Sequence, residues 1–366
     1  MDGVTDAAFR FITAKYGKPA VSITEFTSAE GIAAGAIKLL QDFSYSEIER
    51  PVVAQIFGSN PDAFFKAAVV VCALGFDGLD INMGCPARNV AEHGGGAALI
   101  KTPKLAQELV RSAKTGVRAW ADGITLEQAG VHEAIINAIR KQYPSGLSRS
   151  MPPKENFSTR MAYSKNNYFE RKSIPISIKT RIGYDTIVIE DWVQCLLEAE
   201  PAAISIHGRT LKQLYSGLAD WDAIARAAQI IKKTNTLVLG NGDTANLEDA
   251  HKKISRYGVD GVLIGRASFG NPWVFQNVIP NIQERLAVAV EHARYFEQAL
   301  PNKNFLHMRK HLGWYVSGFD GAKELRMRLM QPTVKCAMDV GNMLSSWPTA
   351  PAFSTTLHGA YAKSML

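Results

Sequence analysis

A single thiol lies just after a short run of residues that has the character of a strand end. The run is Gly78-Leu-Asp-Ile-Asn82, and Cys85 follows it between Gly84 and Pro86. In a parallel barrel, a thiol just past the carboxyl end of a strand lies where chemistry takes place. A lone cysteine is more often a small buried residue in a tight turn. Here the flanking asparagine, glycine and proline favour a chemical role.

Polar side chains also close the other predicted strands. They are Gln55, Lys179, Arg181, His207, Asn241, Asp243 and Arg266. Because the carboxyl ends of parallel strands meet at one rim of a barrel, we expect these residues to converge there with Asn82 and Cys85. Turns at Gly242 and Gly265 follow the last two strands, and their backbone N–H groups favour a phosphate, with Arg266 as a further donor. The alternative is that both glycines only permit tight turns.

A phosphate beside Lys179, Gln55 and His207 favours a phosphorylated cofactor with a planar ring. Such a ring needs a cation near its reduced, anionic edge and amide partners at its pyrimidine edge, which fits flavin mononucleotide (FMN). Taken alone, Lys179 could equally form a Schiff base or a salt bridge. A histidine such as His207 is more often a satisfied core residue.

Short β-branched runs alternate with helical patterns along the first three quarters of the chain. The predicted strands are Val21–Phe26, Val52–Phe57, Gly78–Asn82, Ile174–Thr180, Ala203–His207, Thr236–Gly240 and Gly261–Ile264. The predicted helices cover about 6–16, 28–40, 61–74, 103–116, 189–199, 219–233 and 246–257. Strict alternation predicts a parallel sheet covered by helices, which is an α/β fold.

A closed (β/α)8 TIM barrel has eight strands, and seven are predicted. The chain begins with Met1-Asp-Gly-Val-Thr-Asp6, which has the character of a loop that opens a βα unit. We therefore expect that the first strand is missing from a truncated N-terminus. A doubly wound open sheet also fits seven strands, but no GxGxxG follows an early strand.

Three further segments interrupt or follow the alternation. Residues 118–172 form an insertion, with one helix predicted at about 125–141 and a Ser/Asn/Lys/Arg-rich tract after it. The domain prediction is a catalytic barrel over residues 1–280, a small all-helical domain over 284–345 and a loosely held tail over 346–366. We expect the insertion to contact the substrate or to cover the underside of the barrel.

Composition excludes several classes of protein. No apolar run approaches the ~20 residues of a membrane span, and from the first residues of the sequence we expect no signal peptide. The four cysteines form no CxxC pair, so the sequence predicts no metal site and a reducing, cytoplasmic location. Residues 118–172 carry nine Lys/Arg against five Asp/Glu, and residues 281–366 carry ten against six. This basic periphery either binds a polyanion or is simply a soluble surface.

An ordered series of motifs resembles that of the tRNA-dihydrouridine synthases. The series is Met1–Asp6, Gln55-Ile-Phe-Gly58, Asp80-Ile-Asn-Met-Gly-Cys-Pro86, Ile178-Lys-Thr-Arg181, His207-Gly-Arg-Thr210, Gly240-Asn-Gly-Asp243, Ile264-Gly-Arg266, His307–Tyr315, Gly318–Gly321 and Arg326. Each motif is weak alone, but the ordered set is highly specific and spans nearly the whole chain apart from the insertion and the tail.

The resemblance implies an FMN-bearing barrel, with a helical tRNA-binding domain, that reduces the C5=C6 bond of tRNA uridines at the expense of NADPH. Cys85 would give the proton to C5, and hydride would reach C6 from flavin N5. Gln55, Lys179 and His207 would hold the flavin ring and the ribityl chain, and Met1 would pack against the ring. The phosphate of the flavin would be held by Asn241, Gly242, Asp243, Gly265 and Arg266. Asn82, Arg181, Arg309, Lys310 and Arg326 would bind a uridine flipped out of the tRNA, and the rest of that tRNA.

Two other functions remain open. One is an FMN barrel that reduces a free small molecule, which would have no need for the basic helical segment. The other is a non-catalytic RNA-binding barrel, which the predicted loss of a strand favours and the presence of Cys85, Lys179 and His207 opposes. We expect a monomer; the reduced tRNA position and the choice of NADPH over NADH are not predicted.

Overall fold

The computed structural model describes residues 1–142, 171–276 and 278–347. The polar tract of the predicted insertion, residues 143–170, lies outside the described residues, as does the tail beyond residue 347. Within the described ranges, no helix has the length and apolar character needed to cross a membrane. The same ranges contain no group of three or more His, Cys, Asp or Glu side chains placed to bind a metal ion.

In the described part of the chain, seven parallel strands form one sheet whose spatial order is the order of the chain. They are β1 (Ser22–Ser28), β2 (Val52–Phe57), β3 (Gly78–Met83), β4 (Ile176–Arg181), β5 (Ala203–His207), β6 (Leu237–Asn241) and β7 (Gly261–Leu263). Parallel neighbours joined in sequence by helices are the arrangement of a (β/α)8-type barrel, so the predicted fold class is confirmed. Every predicted strand is present: β2 and β5 have the predicted bounds, and the other five differ by one or two residues at an end.

Nine helices of the described residues belong to this βα part. They are α1 (Ala7–Gly17), α2 (Ala29–Ala33), α3 (Pro61–Ala73), α4 (Arg88–Glu92), α5 (Pro103–Ala121), α6 (Glu133–Gln142), α7 (Ile189–Leu197), α8 (Trp221–Ile231) and α9 (Leu247–Tyr257). Several begin at a side-chain cap, since Asp6, Asn60 and Asp220 each accept a backbone N–H three residues on. These caps fix where each loop at the rim ends and its helix starts.

Two predicted helices are too long, and a third, predicted at 103–116, continues to Ala121. The predicted helix at 28–40 ends at Ala33 and is followed by a 3-10 turn, Ile37–Phe43, because Gly35 adopts a φ of +86°. That conformation strains any residue with a Cβ and stops an α-helix. The predicted helix at 125–141 begins only at Glu133, because the segment before it forms a turn that ends with Gly130 at φ +69°.

Within residues 278–347, four more α-helices follow the last strand. They are α10 (Ile282–Ala299), α11 (Arg309–Tyr315), α12 (Ala322–Leu329) and α13 (Ala337–Ser345). Further 3-10 turns lie at Glu47–Glu49, Gly96–Lys101, Arg266–Ser268, Pro272–Phe275 and Phe305–Met308. The predicted helical character of residues 284–345 is therefore present in the structure.

Two hydrophobic cores account for most of the buried apolar side chains. The larger one lies between the strands and the helices α2, α3 and α5 to α8, and includes Ile56, Ile81, Ile178 and Ile206. The smaller one joins α1 to the C-terminal helices: Ala8 and Ile12 of α1 pack with Phe296, Leu312 and Leu325. Because α1 precedes β1 in the chain and packs in the smaller core, the C-terminal helices are anchored directly on the first βα unit.

Candidate active site

Side chains alternate along the strands, so a polar set on one face of each strand points into the barrel. In the sheet register, Gln55 pairs with Asp80, Asn82 with Lys179, and Arg181 with His207. His207 in turn pairs with Asn241. The carboxyl ends of β2 to β6 therefore bring the predicted residues together at one rim. We call this rim the mouth.

A continuous chain of hydrogen bonds crosses three strands beneath the mouth. Ser177 Oγ donates to Asp80 Oδ1 at 2.5 Å, and Gln55 Nε2 donates to Asp80 Oδ2 at 2.7 Å. Asn82 Nδ2 donates to Gln55 Oε1 at 3.0 Å. Asp80, Gln55 and Asn82 are all buried. A connected, buried polar network of this kind holds its members in one arrangement.

The last acceptor of this network holds the turn that carries the thiol. Asn82 Oδ1 accepts the backbone N–H of Cys85 at 2.8 Å and that of Gly84 at 3.1 Å. From β4, Arg181 Nε donates to Gly84 O at 2.7 Å. A Cβ on Gly96, at φ +58°, would lie 2.8 Å from Cys85 O, so the glycine run allows the next segment to close over the turn.

The Cys85 thiol is suited to hold its proton at neutral pH. Burial raises the pKa of this thiol above its ordinary value, although the Ala87 N–H, Arg181 and Lys179 act against burial. The same Ala87 N–H lies 3.4 Å from Sγ and would stabilise a thiolate once the proton has left. The geometry therefore suits a group that donates a proton and is later recharged.

Lys179 is a half-buried cation beside this thiol. Burial, with the neighbouring Arg181 charge, lowers the pKa of Lys179 to about 8, against the opposing effect of Asp80. An ammonium held at that pKa is charged at neutral pH, yet can respond to a nearby anion. Its place in the register beside Asn82 puts it within the mouth.

His207 is a neutral imidazole surrounded by cations. Burial, followed by the charges of Lys179, Arg181, Arg209 and Arg266, lowers the pKa of His207 to about 2. Arg209 Nη1 lies 3.4 Å from His207 Nε2. Because an arginine can only donate, Nε2 is the unprotonated nitrogen and the remaining proton is on Nδ1.

The glycine turn after β6 is confined by its surroundings. Gly242 has a φ of +128°, and a Cβ there would lie 2.5 Å from the Cβ of Ala219 and 3.3 Å from His207 Cδ2. Asn241 Nδ2 donates to Leu263 O at 3.1 Å, which ties β6 to β7. In the next turn, the Sδ of Met1 lies 3.5 Å from the position of a Cβ on Gly265. These backbone turns meet where the sequence predicts a phosphate.

Asp243 differs from its predicted role in one respect. Its Oδ2 accepts Arg209 Nη2 at 2.6 Å and its Oδ1 accepts Arg266 Nη2 at 2.8 Å. Burial alone would raise the pKa of Asp243, but the Arg209 hydrogen bond and the Ala219 N–H hold this pKa below its ordinary value. A carboxylate repels a phosphate, so its side chain is placed to orient the two guanidinium groups.

Three polar residues that the sequence did not single out complete the site. Arg209 is almost fully buried and donates to Gly217 O and Ser216 O as well as to Asp243. Asp80 and Ser177 anchor the network beneath Asn82. Each lies two residues before or after a predicted site residue, so the period of a strand could have identified them.

The predicted cations of the helical segment lie in different settings. Lys310 Nζ is 3.9 Å from the position of a Cβ on Gly3, so it lies next to the N-terminal loop. Arg326 is exposed on α12. Arg309 instead donates to Gln331 O at 3.0 Å, within the C-terminal helices. Arg181 is likewise committed to backbone carbonyls: its Nη1 donates to Thr210 O and Leu214 O.

Most of the sequence matches a family model. The model is described as dihydrouridine synthase (Dus), and it matches residues 1–125 and 166–342. The chain is 30% identical over 344 residues to "Probable tRNA-dihydrouridine synthase 2" of Bacillus subtilis, across 90% of this chain and 87% of that one. It is 30% identical over 339 residues to "Probable tRNA-dihydrouridine synthase" of Staphylococcus aureus MRSA252, across 90% and 86%. A Staphylococcus epidermidis protein of the same description is 29% identical over 339 residues, across 90% and 87%.

Proposed function

The chain belongs to the dihydrouridine synthase family, whose members are oxidoreductases acting on tRNA uridines, and from this premise we propose a specific reaction and site. The reaction is reduction of the C5=C6 bond of a uridine in tRNA to 5,6-dihydrouridine. FMN would be the bound cofactor and NADPH the reductant. Cys85 would be the catalytic acid.

The observation that carries this proposal is the way Cys85 is held. Its turn is fixed from one side by Asn82 and from the other by Arg181. Its thiol is protonated at neutral pH, since burial raises its pKa. A fixed, protonated acid beside a cationic site is what the quenching of a carbanion in a uracil ring needs.

The proton and electron balance is simple. Bound FMN would supply the hydride, from N5 to C6 of the uracil, and NADPH would restore it. Cys85 Sγ then gives its proton to C5, and one C=C double bond becomes a single bond. The thiolate left behind is stabilised by the Ala87 N–H and the charges of Arg181 and Lys179, until a solvent proton restores the thiol.

The residues present fit FMN by charge. Lys179, Arg209 and Arg266 face the mouth, and Asp243 is shared between the last two. This excess of positive charge favours a bound anion. The turns at Asn241, Gly242, Asp243, Gly265 and Arg266 would hold the phosphate. Lys179 would lie at the reduced, anionic edge of the ring and Gln55 at its pyrimidine edge, with His207 and the Met1 backbone also against the flavin.

Asn82 and Arg181 fit a positioning role better than direct contact with substrate. Asn82 Oδ1 is used by the Cys85 turn, but the second N–H of its amide remains able to reach a uracil carbonyl. Arg181 is 3% exposed and binds backbone carbonyls. We propose that both act chiefly by holding the thiol in place.

The tRNA would lie across the mouth and the C-terminal helices, with the target uridine flipped out of its stack to reach Cys85. Lys310 and Arg326 would contact phosphates, while Arg309 would brace the helices that present them. We propose that residues 284–345 form the tRNA-binding part, that the protein acts as a monomer, and that it works in the cytoplasm, where its substrate and NADPH are found.

Mass spectrometry of tRNA tests the proposal. Unmodified tRNA incubated with the protein, FMN and NADPH should gain the mass of two hydrogen atoms at a uridine, and free uridine monophosphate should not. Cys85→Ala should abolish the gain in a single turnover. Cys195→Ala is the matched control, since Cys195 is a half-buried cysteine of α7 that contacts Gln107. A Cys85→Ala protein as active as wild type would refute the assignment of the acid.

A further inference from the structure

The segment between β5 and α8 presents apolar side chains to solvent at the mouth. In residues 211–218, which we call the mouth loop, Leu214 is 48% exposed, Tyr215 64% and Leu218 85%. Single exposed apolar residues are ordinary, but a cluster on one loop beside a reactive site marks a contact surface.

Several hydrogen bonds fix the mouth loop in place. Leu211 N donates to Gly183 O and Lys212 N donates to Tyr184 O, both at 3.0 Å. Arg181 Nη1, whose Nε holds the Cys85 turn, donates to Leu214 O at 3.2 Å. The exposed side chains are therefore held at a fixed position relative to the thiol.

Leu214 lies in the left-handed region, with a φ of +52°. A leucine pays a penalty there that glycine or asparagine would avoid, on the order of 1 kcal/mol. Strain of this kind is retained where the surrounding structure imposes it, often at binding sites. In Leu214 it accompanies an apolar side chain that faces solvent.

Cations lie around the mouth loop, and two of them, Arg266 and Lys101, also pair with the carboxylates of Asp243 and Asp185. Arg266 Cζ lies 5.8 Å from the centre of the Tyr215 ring, and Lys212 is exposed on the loop itself. On the adjoining loop, Lys101 Nζ lies 3.5 Å from the centre of the Tyr184 ring. Aromatic faces interleaved with cations bind unpaired bases and their phosphates.

We propose that the mouth loop is a stacking surface for the unpaired nucleotides that flank the target uridine. Tyr215 would stack on a base, Leu214 and Leu218 would contact sugars and base edges, and Lys212 would meet a phosphate. Extruding a base deprives its neighbours of a stacking partner, and such a surface offsets that cost. This inference rests on the proposed function, because only a polynucleotide substrate has flanking nucleotides.

The test is the binding of unmodified tRNA transcripts to the FMN-loaded protein at several salt concentrations, together with kcat and KM for uridine reduction. Tyr215→Ser should weaken binding about tenfold and raise KM by a similar factor, which is the effect expected for one lost stack. Leu218→Ser should weaken binding severalfold. Neither variant should change the slope of log K against log salt, because no phosphate contact is lost.

Two control variants separate stacking from other causes. Tyr215→Phe keeps the ring and should bind as wild type does. Leu237→Ser alters a leucine that is 54% exposed at the start of β6, at the opposite end of the barrel, and should have no effect. Lys212→Gln, by contrast, should lower the salt slope.

The outcomes also distinguish this inference from the proposed function. Wild-type protein that reduces tRNA, with Tyr215→Ser and Leu218→Ser binding as tightly as wild type, would overturn the stacking surface alone. Tight, Tyr215-dependent binding without reduction would count against the proposed function and for the stacking surface. A wild-type dimer in sedimentation that Leu218→Ser dissociates would assign the loop to self-association and overturn the inference.

Discussion

Asp80→Asn is the sharpest test of how the site positions its thiol, because the polar network beneath the mouth has a direction. Asn82 must turn its oxygen toward the Cys85 and Gly84 N–H groups, so its NH2 faces Gln55 Oε1. Gln55 must then turn its NH2 toward Asp80, which accepts there and from Ser177. An asparagine at position 80 has one oxygen and one NH2 group, so it can keep Gln55 Nε2 as a donor only if the Ser177 hydroxyl turns from donor to acceptor, and otherwise Gln55 must rotate.

The magnitude follows from burial. Asp80 is fully buried, and a buried donor left without an acceptor costs about 1–3 kcal/mol. If Gln55 rotates to satisfy the new side chain, its amide no longer accepts from Asn82, and Asn82 can no longer hold the Cys85 turn as it does now. Because a misplacement of about 1 Å can cost on the order of a hundredfold in rate, we expect the single-turnover rate of uridine reduction to fall about 10- to 100-fold. The KM for tRNA should change little.

Asp77→Asn is the matched control, since Asp77 precedes the same strand at the opposite end of the barrel. Its Oδ2 accepts Val52 N and its Oδ1 pairs with Arg50. Both variants should lower the free energy of unfolding in urea, but only Asp80→Asn should slow reduction and alter alkylation of Cys85, located by peptide mass spectrometry. If Asp80→Asn lost stability and kept the wild-type rate within twofold, the network would not position the thiol.

Three further predictions concern charge and shape at the mouth. Because the pKa of Lys179 is about 8, the rate of uridine reduction should fall as the pH rises through that value and the ammonium is lost. Lys179→Arg should move this fall to higher pH, because arginine keeps its charge. A fall at the same pH in the variant would contradict a role for the Lys179 ammonium. Gly242→Ala puts a Cβ 2.5 Å from that of Ala219 at a φ of +128°. We therefore expect the variant to lose FMN affinity, measured by fluorescence titration, and more than about 1 kcal/mol of stability. Unchanged FMN affinity would show that this turn is not part of the phosphate site. Arg326→Gln should weaken tRNA binding and reduce the slope of log K against log salt by about one. Lys233 is an exposed cation just after α8, and Lys233→Gln should change neither quantity. Equal effects of the two substitutions would mean that the tRNA binds without a preferred surface.

The sequence was most informative about residues whose position depends on a single strand. The positions of Asn82, Lys179 and His207 follow from the ends of β-branched runs and from the alternation of side chains. It was least informative where two strands or loops meet. The ion pairs of Asp243 with Arg209 and Arg266, and the attachment of Arg181 to Gly84 and Leu214, depend on the order and register of the sheet.

The two predicted helices that are too long are shorter in the structure for a physical reason. Residues 28–40 and 125–141 contain enough helix-forming residues for an unbroken helix, and single glycines are tolerated in helices at about 1 kcal/mol. In the fold, Gly35 packs so closely on His132 that a Cβ at this glycine would lie 2.6 Å from the imidazole Nδ1. The glycine is therefore a contact point between these two segments, and the turn follows from tertiary packing.

The buried polar side chains of this barrel make it less stable than an apolar interior would, but they hold the residues of the site in fixed positions. Asp80, Gln55 and Asn82 could be replaced by apolar residues of similar volume, and buried polar groups of this kind often contribute little net stability. Their value lies in the fact that each has one allowed orientation, set by its neighbour, from Ser177 to the Cys85 N–H. Arg181 repeats the same logic from the other side, since one buried guanidinium fixes both the thiol turn and the mouth loop. The acid and the surface that would receive the neighbouring nucleotides are therefore aligned by shared side chains, so a substitution at Arg181 should disturb both together.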